Sequence, residues 1–147
     1  MSLINWKCPF HVFTAGALAS LVVMYSISLI PFRKRIQRFD VDKRFSNAIT
    51  CNGMVFISGQ VGEGNTIEEQ TQTALNAVDT ALAQAGTDKS RIVELTIWLK
   101  DISSDYAAMN AVYDRWLVPG EPPCRACVHA SLYTPSCRVE IRVVAAL

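Results

Sequence analysis

Two cysteines near the C-terminus, Cys124 and Cys127, have the spacing of a C-x-x-C motif. Thiolates at this spacing serve in redox centres and structural zinc sites, and His129 and Cys137 would complete a set of four ligands. The motif, however, begins a predicted strand, in which side chains alternate, so the two thiols would face opposite sides of the sheet. Because the chain has no second C-x-x-C, the sequence favours independent free thiols over a metal or redox site.

Arg125 lies between these cysteines and follows two prolines. It begins a strand that we expect inside the sheet, where an arginine is seldom found without a partner. Its planar guanidinium is suited to a carboxylate, which it can bind through two parallel hydrogen bonds. That carboxylate belongs either to a ligand or to an internal acid such as Glu140.

Glu140 interrupts the apolar alternation of the last predicted strand. Arg138 and Arg142 share its face, which favours an outward residue on a half-exposed strand over an acid placed for chemistry. We interpret His129 as a strand histidine with satisfied hydrogen bonds rather than as a general base. The chain has no Ser-His-Asp order, phosphate-binding loop or HExxH motif, so nothing supports a catalytic triad, a nucleotide site or a zinc protease.

The elements that must position these residues begin with a hairpin and a helix. Short apolar runs on both sides of Asn52-Gly53 predict a β-hairpin over residues 49–58, because both turn residues accept a positive φ. Thr66 and Glu69 have the spacing of a capping box, which predicts the start of an amphipathic helix. Gly86 stands where the left-handed residue that ends such a helix is expected.

A strand and a second helix follow. The strand is predicted over residues 92–99, and one of its faces is apolar (Val93, Leu95, Ile97 and Leu99). Ser103 or Ser104 can cap the second helix, and Pro119 stops it. Two strands, predicted over residues 125–133 and 138–146, close the chain.

The predicted order is therefore ββ-α-β-α-ββ, which is typical of an α+β fold with one mixed sheet and two helices on one face. A domain this small has no third layer to cover the other face of the sheet. We expect that face to be covered by self-association.

Composition fits one globular domain, since half of the 147 residues are apolar. From residue 39 to residue 147 we count nine basic and thirteen acidic residues, a balance of −4. Such a domain is a poor candidate for non-specific nucleic-acid binding, which rests on neutralising phosphates, unless one face is locally basic. Five cysteines, an odd number, favour free thiols in a reducing compartment over a secreted disulfide framework.

Residues 12–30 form an uncharged, mostly apolar run that is followed by Pro31 and by the basic triplet Arg33-Lys34-Arg35. As a helix this run would span about 28 Å, close to the ~30 Å hydrocarbon core of a bilayer. Its flanks predict a single-pass anchor at the inner face of the membrane with a cytoplasmic C-terminal domain. A cleaved signal peptide fits poorly, because the run is too long and no suitable cleavage site follows. A non-native extension, with the functional chain starting near Ile36, fits equally well.

Residues 36–147 resemble the Rid family, the reactive intermediate deaminases, which are also called YjgF or L-PSP proteins. The resemblance rests on five segments in the family's order and spacing, namely residues 52–60, Ala85-Gly86, residues 99–101, residues 123–128 and residues 139–141. It divides the chain into an N-terminal segment, residues 1–38, and a Rid-like domain, residues 39–147.

The resemblance implies a chorismate-mutase-like α+β fold and a homotrimer with sites in the clefts between subunits. It also implies hydrolysis of reactive enamine or imine acids, such as 2-aminoacrylate, to the 2-keto acid and ammonia, without a cofactor or a metal. Two functions from other classes stay open. One is a non-catalytic module that binds small carboxylic acids, and the other is an endoribonuclease or translation inhibitor.

Four residues match the family's site. Arg125 matches the arginine that grips the substrate carboxylate, Cys127 the cysteine whose backbone lines the site, and Glu140 the acid that positions the attacking water. The region around Gly59 matches the wall of the cleft. Members with the best-defined imine deaminase activity carry Gly-Pro-Tyr before the first strand, where this chain has residues 44–47, Arg-Phe-Ser-Asn, and no tyrosine.

Overall fold

A six-stranded sheet and two helices make up the part of the chain that the computed structural model describes, residues 36–147. The strands are β1 Gln37–Val41, β2 Ser46–Cys51, β3 Met54–Val61, β4 Ile92–Leu99, β5 Cys124–His129 and β6 Val139–Ala146, and the helices are α1 Ile67–Ala85 and α2 Ile102–Trp116. The predicted mixed sheet with two helices is confirmed, with one strand more than predicted. The additional strand is β1, which pairs with β2 at one edge of the sheet.

The strand order across the sheet is β1-β2-β3-β6-β4-β5. Strands β4 and β5 are parallel and α2 connects them, whereas all the other pairs are antiparallel. The last strand in sequence, β6, therefore lies between β3 and β4, and β5 lies at an edge. The expectation that Arg125 begins a strand inside the sheet is wrong for the single chain, because β5 is bonded to β4 alone.

The two helices begin in different ways. Helix α1 starts as predicted, with both hydrogen bonds of the capping box between Thr66 and Glu69, and Gly86 ends it in the left-handed conformation. Helix α2 is capped by Asp101 rather than by Ser103 or Ser104. The Asp101 carboxylate accepts hydrogen bonds from the backbone N–H groups of both serines, at 3.0 and 3.3 Å. These bonds hold the pKa of Asp101 below its usual value.

The core lies between the helices and one face of the sheet, and its strand residues recur at every second position of β3, β4 and β6. The prediction that Val93 belongs to this face is wrong. The pairing of β4 with β6 shifts between Ile92 and Glu94, and this bulge turns Ile92 into the core while Val93 is 48% exposed.

The other face of the sheet, here called the open face, carries large apolar side chains that are only partly buried. Phe56, Trp98 and Val144 are half-buried, and Val128 is 44% exposed. Apolar surface of this kind is typical of a contact between proteins.

We predict that a fragment of residues 36–147 sediments with three times the mass of one chain. The resemblance to the Rid family implies a trimer, and contact with the other two copies removes most of the open face from water. Val128→Glu places a charge on that face and is expected to yield monomers, whereas Tyr106→Glu, on an exposed position of α2, leaves the mass unchanged. A stable monomer of the parent fragment at micromolar concentration would refute the prediction.

Candidate active site

Arg125, at the start of β5, is held from one side by α2. Its Cα partner on β4 is the fully buried Leu95, so its side chain lies on the helix side of the sheet. There Nη2 donates a hydrogen bond of 2.7 Å to Oδ1 of Asn110. The guanidinium carbon lies 4.3 Å from the centre of the Tyr113 ring, a cation–π contact. Asn110 and Tyr113 are three residues apart on α2 and therefore share one face of the helix.

Arg125 makes no ion pair with any of residues 36–147. The two ion pairs in this part of the chain join Arg138 to Asp105 and Lys89 to Asp79. The alternative in which Arg125 pairs with Glu140 is therefore wrong within the single chain. Nε of Arg125 is also buried and has no hydrogen-bond partner among the described residues. An unsatisfied buried donor costs about 1–3 kcal/mol, so a hydrogen-bond acceptor for this N–H group would stabilise the protein.

Cys127 lies two residues beyond Arg125 on the same side of the sheet and packs against the core. Burial raises the pKa of its thiol above the usual value, and the positive charge of Arg125 opposes that rise only in part. The thiol is therefore protonated at neutral pH, which makes it a poor nucleophile and leaves the backbone as the part of Cys127 suited to a ligand.

The C-x-x-C motif does not form a metal site in the described part of the chain. Cys124 is exposed, the half-buried Cys127 lies on the opposite face of β5, and both thiols are free. Residues 36–147 contain no group of three metal-ligating side chains. His129, at the end of β5, is exposed and lines a groove of about 630 Å³ that also contains Lys100 and Arg138.

Gly59 and Glu140 are in direct contact. The pairing of β3 with β6 shifts between Ile57 and Gln60, and Gly59 lies within this bulge. A Cβ atom on Gly59 would lie 1.8 Å from Oε1 of Glu140 and 2.7 Å from Cδ. The glutamate side chain thus lies directly on the Gly59 backbone, in space that any other residue would fill.

The four residues matched to the family's site thus form two separate pairs. Arg125 and Cys127, here called the arginine half-site, lie on the helix side of the sheet. Gly59 and Glu140, the glutamate half-site, lie on the open face, because Glu140 alternates with the buried Ile141 of β6. The sheet separates the two half-sites within one chain.

Two residues around Arg125 were not identified from the sequence. Tyr113 lies on the apolar face of α2 and is buried, and this burial raises the pKa of its hydroxyl. Asn110 is a polar residue one turn before Tyr113, next to the fully buried Met109. A polar residue at the border of an apolar stripe is a weak signal, and the partner of Asn110 lies fifteen residues further along the chain.

Comparisons with known proteins agree with this architecture. The family model described as Endoribonuclease L-PSP matches residues 35–147. A RutC family protein of Haemophilus ducreyi is 40% identical over 114 residues, which cover 76% of this chain and 97% of that protein. The RutC family protein YoaB of Escherichia coli is 39% identical, with coverage of 76% and 98%.

Among solved structures, a member of the YjgF protein family from Neisseria meningitidis superimposes with a TM-score of 0.75 at 42% sequence identity. The match covers 77% of this chain and 95% of that protein. A member of the YjgF/YER057c/UK114 family from Mycobacterium tuberculosis gives a TM-score of 0.70 at 26% identity, with coverage of 77% and 100%. From its sequence, its sheet and helices and these matches, the chain belongs to the YjgF/L-PSP family, which is also called the Rid family.

Proposed function

We propose that this protein hydrolyses reactive 2-imino and 2-enamino acids, such as 2-aminoacrylate, to the 2-keto acid and ammonia. The observation that carries the proposal is the state of Arg125. Asn110 and Tyr113 hold its guanidinium in place, yet no carboxylate of residues 36–147 pairs with it and its Nε lacks an acceptor. A guanidinium fixed in this way matches the planar carboxylate of a 2-imino acid.

The site is composite in this proposal. One protomer supplies the arginine half-site and its neighbour in the trimer supplies the glutamate half-site, because the sheet keeps the two apart within one chain. Arg125 binds the substrate carboxylate beside the backbone of Cys127. The neighbour supplies Glu140, whose side chain lies on the backbone of Gly59 in the same protomer. This glutamate holds one water molecule against the substrate carbon that is bonded to the carboxylate.

The chemistry needs no covalent help from the protein. An enamine such as 2-aminoacrylate takes up a proton at its terminal carbon to give the iminium ion, the protonated imine, whose carbon is electrophilic. Glu140 accepts a proton from the water as the oxygen attacks that carbon, which gives a carbinolamine. That proton then passes from Glu140 to the nitrogen. The C–N bond breaks as the hydroxyl proton returns to the Glu140 carboxylate and from there to water, and ammonia and the 2-keto acid leave. Because Arg125 holds the substrate carboxylate and Glu140 holds the water, the reaction between water and the substrate carbon becomes effectively unimolecular.

The test is the release of 2-keto acid and ammonia from 2-aminoacrylate that a second enzyme generates in the same vessel. We expect the protein to release both products in equal amounts and faster than spontaneous hydrolysis. If the parent protein binds a 2-keto acid but does not accelerate hydrolysis, it is a carboxylic-acid binding module. Cleavage of RNA would support the endoribonuclease alternative, which the −4 balance of residues 39–147 disfavours.

The predicted membrane anchor, residues 12–30, lies outside the described residues. No helix within residues 36–147 is long and apolar enough to cross a bilayer. If the anchor is real, the full chain will pellet with membranes and resist carbonate extraction, while residues 36–147 stay in the supernatant and keep their activity. A full chain that stays in solution without detergent would instead support a non-native extension.

A further inference from the structure

Glu140 is flanked on both sides by apolar residues of neighbouring strands. Its Cα partner on β3 is Val61, and its partner on β4 is Trp98. On β5, Val128 pairs in turn with Trp98. These four residues form one row across the open face, here called the glutamate row. Directly opposed side chains in a sheet have Cβ atoms about 4.5–5.5 Å apart, so Val61 and Trp98 are immediate neighbours of the carboxylate.

The charged residue that follows Glu140 on the same face is Arg142, two positions along β6. Arg142 is exposed and lines a groove of about 240 Å³ together with Phe45 and Phe56, which places it over the β2 and β3 side of the sheet. Trp98 lies on β4, on the opposite side of β6. The side of Glu140 that faces β4 therefore offers an indole ring and, beyond it, the valine side chain of Val128.

We propose that Trp98, with Val61, forms the wall that contacts the substrate's side chain and selects 2-imino acids with apolar side chains over those with charged ones. This inference rests on the proposed hydrolysis. The carbon that water attacks carries both the carboxylate and the side chain. With the carboxylate fixed on Arg125 and the water on Glu140, the inference places the side chain against the residues beside Glu140 and the nitrogen on the other side of the carbon.

The expected selectivity follows from the chemistry of this wall. An aliphatic substrate side chain is stabilised when it moves out of water and packs against the indole ring. One methylene group in such a pocket changes kcat/KM by about 10- to 200-fold. A charged side chain would lose its hydration without gaining a partner from Val61, Trp98 or Val128.

The experiment uses the full chain and imino acids that an amino-acid oxidase makes from alanine, leucine and glutamate. We expect the parent to hydrolyse the leucine-derived imino acid with a kcat/KM about 100-fold above that for the glutamate-derived one. Trp98→Ala should lower kcat/KM for the leucine-derived substrate at least tenfold and that for the alanine-derived one less than threefold. Trp98→Phe keeps an aromatic wall and should retain the preference, and Tyr106→Ala, an exposed aromatic on α2, should change neither value.

Three results would overturn the inference while leaving the hydrolysis itself in place. They are equal use of the leucine- and glutamate-derived substrates by the parent, a preference in Trp98→Ala that is unchanged because activity is retained, and a preference that is unchanged because activity falls equally on all substrates. Should Trp98→Ala fail to fold, Val61→Ala must show the same selective loss to a smaller degree, and an unchanged preference there also refutes the inference. Failure of the parent to hydrolyse even the alanine-derived imino acid would remove the proposed function as well.

Discussion

Arg125→Lys is expected to lower kcat/KM for imine hydrolysis by about 10- to 100-fold while the protein stays folded. Lysine keeps the positive charge but loses the two parallel N–H groups that fix the plane of a carboxylate. One charge-assisted hydrogen bond contributes about 1.5–3 kcal/mol, and each 1.36 kcal/mol of transition-state stabilisation corresponds to about tenfold in rate. Arg125→Ala removes charge and hydrogen bonds together and should have the larger effect.

Arg138 provides the matched control, because within residues 36–147 it is the arginine that forms an ion pair with a carboxylate. Its guanidinium binds Asp105, which is 1% exposed, through Nε at 3.1 Å and through Nη2. Arg138→Ala leaves that buried acid unpaired and should lower the melting temperature more than turnover. The reverse outcome at Arg125, a lower melting temperature with normal turnover in Arg125→Ala, would mean that Arg125 is a structural partner of a neighbouring protomer rather than a ligand for substrate.

Parts of the fold could be predicted because their signals are local. The capping box at the start of α1 and the glycine at its end each depend on residues within one helical turn, and the structure confirms both. Strand β1 gave no such signal, since it lies at an edge with four of its five residues exposed and so lacks an alternating pattern. The bulge at Val93 was also hidden, because one extra residue in a ladder changes the face of a side chain without changing its type.

In the site, too, the features that depend on neighbouring residues could be predicted, and those that depend on distant parts of the chain could not. Arg125 stood out because an arginine after two prolines at the start of a strand needs a partner. The face of Glu140 followed from its alternation with buried neighbours. The separation of the two half-sites depends on the face of the sheet that Arg125 takes, and that face is set by its pairing with the buried Leu95 of β4. Asn110 was missed for the same reason, since only the crossover of α2 brings it to Arg125.

Glu140→Gln is expected to lower kcat by about 100- to 10,000-fold, the range over which a positioned acid or base contributes to a rate. Glutamine has nearly the same shape, so the contact with Gly59 and the fold should be retained. Because Arg125 holds the carboxylate, the affinity for a 2-keto acid, measured by calorimetry, should stay within a few-fold of the parent. Near-normal turnover in this variant would show that Glu140 does not act on the water, and loss of binding with unchanged kcat would make it a substrate ligand instead.

The sharpest consequence of the composite site is complementation between two inactive variants. In a trimer that contains both Arg125→Ala and Glu140→Gln chains, one interface joins an intact arginine half-site to an intact glutamate half-site. If the two variants are unfolded together in equal amounts and refolded, random assortment should restore about a quarter of the parental activity. The control replaces the Glu140→Gln chain with the double variant Arg125→Ala/Glu140→Gln, which lacks any intact arginine half-site and should restore none. A mixture that stays as inactive as its components, although mixed trimers form, would place both half-sites of each working site on the same chain, against the separation that the sheet imposes.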